Sequence, residues 1–168
     1  MIFLTVGTQD PFDRLVKAVD HWAIARGRGA EVFGQITDRA GYRPVSFESA
    51  SFLDPDSYQV RCAEADLIVA HAGMGTIITS MRLGKRVVIM PRREHLREQR
   101  NDHQWGTAQR FRDRPGFYPA MSEGELPDVL DSLAETATSA ILPQLPRFAE
   151  PQLIAAIRTG IYGHEDWS

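Results

Sequence analysis

The chain has 168 residues and a mass of 18.9 kDa, enough for one domain with a core of its own. Hydrophobic residues make up 43% and charged residues 24%, and the net charge of −3 excludes the global basic field of a nucleic-acid binder. A single cysteine, Cys62, excludes an internal disulfide framework and a paired-cysteine zinc or redox motif. No apolar run approaches the roughly 20 residues that span a bilayer.

Residues 2–6 are short, apolar and closed by Gly7, which predicts a buried strand. Asp10 suits a helix N-cap, Pro11 the first helical position and Asp13 the first turn. Phe12, Leu15, Val16, Val19 and Ala23 then give that helix an apolar face, and Gly27 and Gly29 end it. A second strand is predicted over 30–36. A short one is predicted over 44–47, inside the polar, turn-rich stretch 37–51. Asp54 and Pro55 repeat the cap-plus-proline signal before a short helix over 57–65. Residues 66–70 are a nearly continuous apolar run, as expected of a central parallel strand covered on both faces.

That strand runs into His71-Ala72-Gly73-Met74-Gly75-Thr76, and Ile77, Ile78, Met81 and Leu83 carry a helix to Gly84. Another strand is predicted over 86–90, stopped by Pro91. A charged loop over 92–100 leads to a helix opened by Asn101, Asp102, His103 and Gln104. A short strand is predicted over 116–119. Ser122 with Glu125 forms a capping box, and Met121 with Leu126 a hydrophobic staple. Pro143, Pro146 and Pro151 make an irregular connector before an amphipathic helix carrying Leu153, Ile154, Ile157 and Ile161. The order is that of an α/β domain over 1–142, with an open, mostly parallel, Rossmann-like sheet and helices on both faces. Residues 143–168 form the connector and last helix.

Ligands of open parallel sheets bind beyond the carboxyl ends of the strands, at helix N-termini. The stretch from His71 to Thr76 has that address. Gly73 and Gly75 let the backbone approach a ligand, the following helix offers free N–H groups, and His71 and Thr76 add side-chain donors. Together they suit a diphosphate. A dinucleotide fingerprint is the rival reading, but its third glycine or alanine would fall at Ile78. A bare strand–helix turn is a third. Asn101 and Gln104 also fit a helix-capping pair, and Arg92 to Arg100 also fits a solvated charged loop.

The string DLIVAHAGMGTIITSMRLGKRVVIMPRREHLREQRNDHQ, with the opening FLTVGTQDPFDRLV, resembles the donor-binding C-terminal half of glycosyltransferase family 28, the MurG-like enzymes. It is most similar to their small single-domain subunits, of the kind found in exopolysaccharide synthesis (PssE-type) and in the dolichol-pathway N-acetylglucosamine transferase. The resemblance rests on the pattern HAGxG followed by Ser or Thr, on Leu83-Gly84-Lys85, and on Asn101-Asp102-His103-Gln104. It covers Ile2 to about Leu133.

The resemblance implies one half of a GT-B fold, a UDP-sugar donor, inversion at the anomeric centre, and no metal or other cofactor. His71, Gly73, Gly75 and Thr76 would face the donor diphosphate. Asn101, Asp102, His103 and Gln104 would face the sugar hydroxyls or the ribose. Arg92 would hold phosphate or an anionic acceptor, and Gly7, Thr8 and Met74 complete the expected donor site. One departure stands out: Thr79 lies where relatives commonly place an acidic residue that grips the ribose. No general base can be assigned. The base, the other half and a membrane anchor are therefore expected on a separate, membrane-anchored, acceptor-binding subunit that uses a polyprenyl-linked saccharide. The chain would be cytoplasmic, held at the inner face of the plasma membrane by that partner through its last helix. A non-catalytic nucleotide-sugar-binding or scaffold subunit is the alternative.

Overall fold

In the computed structural model, which describes residues 1–135, 142–146 and 151–162, six strands form one sheet. They are β1 (Ile2–Thr5), β2 (Val32–Gln35), β3 (Glu48–Ala50), β4 (Leu67–His71), β5 (Arg86–Met90) and β6 (Phe117–Pro119). Their order is β3-β2-β1-β4-β5-β6, and every pairing is parallel. The helices are α1 (Asp13–Arg26), α2 (Pro55–Glu64), α3 (Met74–Leu83), α4 (His103–Arg110), α5 (Leu126–Glu135) and α6 (Pro151–Tyr162). The sequence-predicted class is thus the observed one: an α/β, Rossmann-like sheet between two helical layers.

Each face of the sheet has its own core. Ile2, Leu4, Val32, Val69 and Val88 point to one side, where α1 and α5 cover them with Leu15, Val16, Val19, Leu126 and Leu130. Phe3, Ile68, Ala70, Val87 and Ile89 point to the other, under Cys62 of α2, Ile77 of α3 and Ala108 of α4. Alternation along strands that are apolar on both faces explains the unbroken hydrophobic runs in the sequence.

The second strand is shorter than the predicted 30–36 because Gly29–Glu31 form a 3-10 turn, and α2 runs over Pro55–Glu64 rather than 57–65. Four further boundaries differ from the expectation, each for a local reason. First, α1 starts at Asp13 rather than at Pro11, with Phe12 at its N-cap and no side-chain cap. The carbonyls of Asp10 and Pro11 instead accept hydrogen bonds from Arg92, and the Asp13 carboxylate accepts from the Gly41 amide at 3.1 Å. Second, the third strand lies over Glu48–Ala50 rather than 44–47. The amides of Val45 and Ser46 are taken by the buried Asp20 carboxylate, 3.0 Å away in each case, so they cannot join a strand ladder. Third, β4 starts at Leu67 and extends to His71, because Asp66 turns aside to pair with the N-terminal amine. Fourth, α4 begins at His103, with Asp102 at its N-cap. The Asp54 cap with Pro55, the left-handed Gly27 and Gly84 C-caps and the Ser122–Glu125 pair are found where the sequence puts them.

Leu142, the end of the expected domain, and residues 143–146 of the expected connector lie against the body. The Leu145 amide bonds to the Met81 carbonyl at 3.1 Å, and Leu142 packs so closely on Gly116 that a Cβ there would sit 2.7 Å from its side chain. Residues 147–150 and 163–168 of that segment lie outside the described residues. In α6, Leu153, Ile154 and Ile157 are exposed.

Candidate functional site

β1 is the strand at which the chain order reverses, with β2 and β3 built on one side and β4 to β6 on the other. The loops leaving β1 and β4 therefore diverge and open a crevice at the carboxyl edge of the sheet. A cleft of about 400 Å³ lies there. It is lined by Thr5, Gly7 and Thr8 from β1 and its loop, Gln35 from β2, Phe52, Leu53 and Tyr58 from the α2 region, and His71, Gly75, Thr76 and Thr79 from β4 and α3. Of the sequence-predicted site, Gly7, Thr8, His71, Gly75 and Thr76 come together in this cleft.

His71 ends β4 and is held in a cradle of glycines. Gly7 has a positive φ of 85°, which a side chain rarely adopts, and a Cβ there would sit 3.1 Å from the imidazole Cε1. A Cβ on Gly73 would come within 2.2 Å of Nε2, which no backbone could absorb unchanged. Burial, reinforced by the nearby Arg92 charge and opposed weakly by the Thr5 backbone, pulls the His71 pKa down to about 4. The ring is neutral at pH 7, and its buried Nδ1 makes no hydrogen bond of normal geometry among the described residues.

Gly73 is the N-cap of α3, and Met74, Gly75 and Thr76 form its first turn. The amides of that turn have no carbonyl partner within the helix and point toward the crevice with the positive end of the helix dipole. Met74 itself is an exposed side chain. A Cβ on Gly75 would meet no atom within 4 Å, so no protein neighbour demands a glycine there. The Thr76 hydroxyl, expected to face a ligand, is buried and shares a hydrogen bond of 3.2 Å with the Tyr58 hydroxyl. Burial pushes the Tyr58 phenol up to about 12, so it keeps its proton. Thr79 bonds back to the Gly75 carbonyl at 3.0 Å.

The loop after β5 does not line the cleft. Arg92, expected as a phosphate ligand, is 3% exposed. Its guanidinium bonds to the carbonyls of Val6, Asp10 and Pro11 and stacks over the Phe12 ring, so it clamps the β1 loop instead. Gln104, expected at the sugar, is also buried, and its Oε1 accepts from the Arg92 amide at 3.1 Å. It makes no capping pair with Asn101. Asn101, Asp102 and His103 are exposed at the head of α4. The Asn101 side chain accepts from the His103 amide and lies against the imidazole. Asp102 accepts from the Glu94 amide at 2.9 Å and pairs with Arg93.

Sequence reasoning missed Gln35, Phe52, Leu53 and Tyr58. The β1–β2 register sets Thr5 beside Gln35, and α2 packs on α3, which places Tyr58 against Thr76. Phe52 presents an exposed ring beside the cleft. Only the Asp54-Pro55 helix start, immediately after Phe52 and Leu53, hinted at a wall there. Among the described residues no group of histidine, cysteine and carboxylate side chains could hold a metal ion. No helix among them is long and apolar enough to cross a membrane.

A strand-order reversal, a glycine-cradled histidine and an open helix N-terminus make the candidate site of a Rossmann-like domain. Comparison with known proteins gives the family: residues 1–141 match the glycosyltransferase family 28 C-terminal domain, and the chain belongs to that family. Over 121 residues it is 31% identical to the UDP-N-acetylglucosamine–N-acetylmuramyl-(pentapeptide) pyrophosphoryl-undecaprenol N-acetylglucosamine transferase of Aromatoleum aromaticum, covering 67% of this chain and 33% of the relative. It is 29% identical over 160 residues to the mouse UDP-N-acetylglucosamine transferase subunit ALG13, covering 86% of this chain and 13% of that protein. The chain thus spans a third or less of these relatives. Among solved structures, the glycotransferase of kitacinnamycin superposes with a TM-score of 0.59 at 17% identity, over 80% of this chain and 35% of that one. The ALG13 solution structure superposes with a TM-score of 0.50 at 14% identity, over 97% and 95%. The fold is that of one Rossmann-like half of the GT-B glycosyltransferases.

Proposed function

We propose that this chain is the donor-binding subunit of an inverting UDP-sugar glycosyltransferase that works with a membrane-associated partner on a lipid-linked acceptor. The observation that carries the reading is Gly75. A glycine in the first turn of a helix costs stability relative to alanine, and here no protein atom needs the space. A diphosphate seated on the α3 amides would. The flat Phe52 ring and Leu53 suit a base at the other end of the cleft. The α3 dipole and its amides can balance the leaving diphosphate without a metal. The exposed Asn101, Asp102 and His103 offer paired donors and acceptors to a sugar. Arg92 and Gln104 serve as positioning residues for the loops on either side.

Two relatives are named for UDP-N-acetylglucosamine, so that is the donor to test first. The acceptor half and the general base are assigned to the partner. The test is calorimetry with UDP and UDP-N-acetylglucosamine in EDTA, followed by a transfer assay with and without membranes carrying the partner. Binding in EDTA and transfer only with the partner are expected. Binding that needs added magnesium or manganese would refute the metal-free donor site. Thr79 favours a second reading, a non-catalytic nucleotide-sugar-binding subunit, because its hydroxyl donates to the Gly75 carbonyl and, with a single oxygen, cannot grip a ribose diol bidentately as a carboxylate does. Binding without transfer in the reconstituted complex selects that reading.

A further inference from the structure

Gln35 closes β2 on the floor of the cleft, with 1% of its surface exposed. Neither its Nε2 nor its Oε1 has a hydrogen-bond partner among the described residues. Burying a carboxamide with both ends unpaired is costly, and an apolar side chain of similar size would avoid that cost. The neighbouring polar groups do not serve it. Thr5, its register partner, accepts from the Gly7 amide, and Tyr58 is bonded to Thr76.

We infer that Gln35 pairs with the imide edge of the pyrimidine ring of the bound nucleotide, donating to a ring carbonyl and accepting from the ring N–H. The inference rests on the nucleotide-sugar reading of the cleft and assigns the base-reading residue within it. Its chemistry follows from the two unpaired atoms. A diphosphate offers only acceptors and would leave Oε1 orphaned. A uracil imide presents a donor beside an acceptor, which matches a carboxamide at both atoms. Phe52 and Leu53, which line the same cleft, supply the apolar surface that a flat ring needs. Both amide atoms are closed to water in the free cleft, so pairing requires the Gln35 side chain to turn toward the opening. Its unmet hydrogen bonds favour that turn.

The test compares UDP, its N3-methyl analogue and inorganic pyrophosphate, each titrated by calorimetry into the wild-type chain and into Gln35→Leu. The wild type should prefer UDP over the N3-methyl compound roughly 10–100-fold, the range of a bidentate amide–base pair. In Gln35→Leu that preference should collapse, while pyrophosphate binding stays unchanged. The melting temperature of the variant should hold or rise, because two orphaned polar atoms have gone. A residue with only a structural role would instead lower it. Retained preference for UDP in Gln35→Leu, or equal weakening of UDP and pyrophosphate, overturns the inference and leaves the nucleotide reading standing. Absence of UDP binding by the wild type overturns both. Should the leucine variant fail to fold, Gln35→Met gives the same comparison with an unbranched side chain.

Discussion

His71, Gly73 and Gly75 sit within five residues of one another and do different work. Gly73 is required by the protein, since any Cβ would strike the imidazole. Gly75 is not. Gly73→Ala should therefore lower stability by about 1–3 kcal/mol, the usual cost of overpacking a closed site. Gly75→Ala should leave stability unchanged or raise it by up to about 1 kcal/mol while weakening UDP. Denaturant midpoints and UDP titrations for the pair check both halves. His71 also sets a pH dependence. In the unfolded chain it takes up a proton near its ordinary value of 6.5, whereas the folded chain resists until about 4. As pH falls from 6.5 toward 4 the unfolded state is favoured, and stability should fall by up to about 3 kcal/mol. Urea midpoints at pH 7 and 4.5 should show the loss, and His71→Gln should flatten it. The glycine and histidine pattern was legible because it is contiguous in sequence. Gln35 and Tyr58 were not, because only strand register and helix packing bring them to the same cleft.

At the scale of elements, the strands and helices were readable where hydrophobic runs and caps coincide, as at β4, α2 and α3. The misplaced third strand shows why reading by local pattern stops short. Asp20 lies inside α1, 25 residues before the amides it captures, and nothing local marks it as the anchor of residues 42–46. Burial works against its charge, but hydrogen bonds from Ser46, Tyr42 and the backbone of Val45 and Ser46 prevail and hold its carboxyl below the usual range. Asp20→Asn should cost about 1.5–3 kcal/mol, the value of hydrogen bonds to a charged group, and should expose 42–46 to proteolysis. Gln104 belongs to the same class of anchor. Gln104→Ala should lower the melting temperature through the loss of the bond to the Arg92 amide, with no selective loss of UDP-sugar over UDP. A selective loss would return Gln104 to the sugar site.

For the molecule as a whole, the sheet carries the candidate cleft at its carboxyl edge and offers no second Rossmann-like unit among the described residues. Both faces of the all-parallel sheet are covered by this chain's own helices, so the proposed dependence on a partner should appear in turnover and not in stability. Truncation after residue 146 removes α6 and its exposed Leu153, Ile154 and Ile157. It should leave UDP affinity unchanged and reduce capture of the partner by more than 10-fold, at 1.4 kcal/mol per decade. Unchanged capture would show that the partner holds another face.

The Arg92 clamp has a kinetic side. Its hydrogen-bond partners are the carbonyls of Val6, Asp10 and Pro11, which are neutral, so a full positive charge is fixed beside His71. The carboxylates that oppose it are Asp10 and Glu98, and Glu98 is already paired with Arg14 at 2.7 Å. The charge touches no ligand and cannot swing away. Under the proposed function it would act as a standing field that draws polyanions inward before any contact forms, and it would hold a spent diphosphate after the sugar has left. If the proposed complex is reconstituted, its turnover should accordingly be paced by product escape, and added salt should speed that escape while slowing arrival, as pre-steady-state kinetics at two ionic strengths would show.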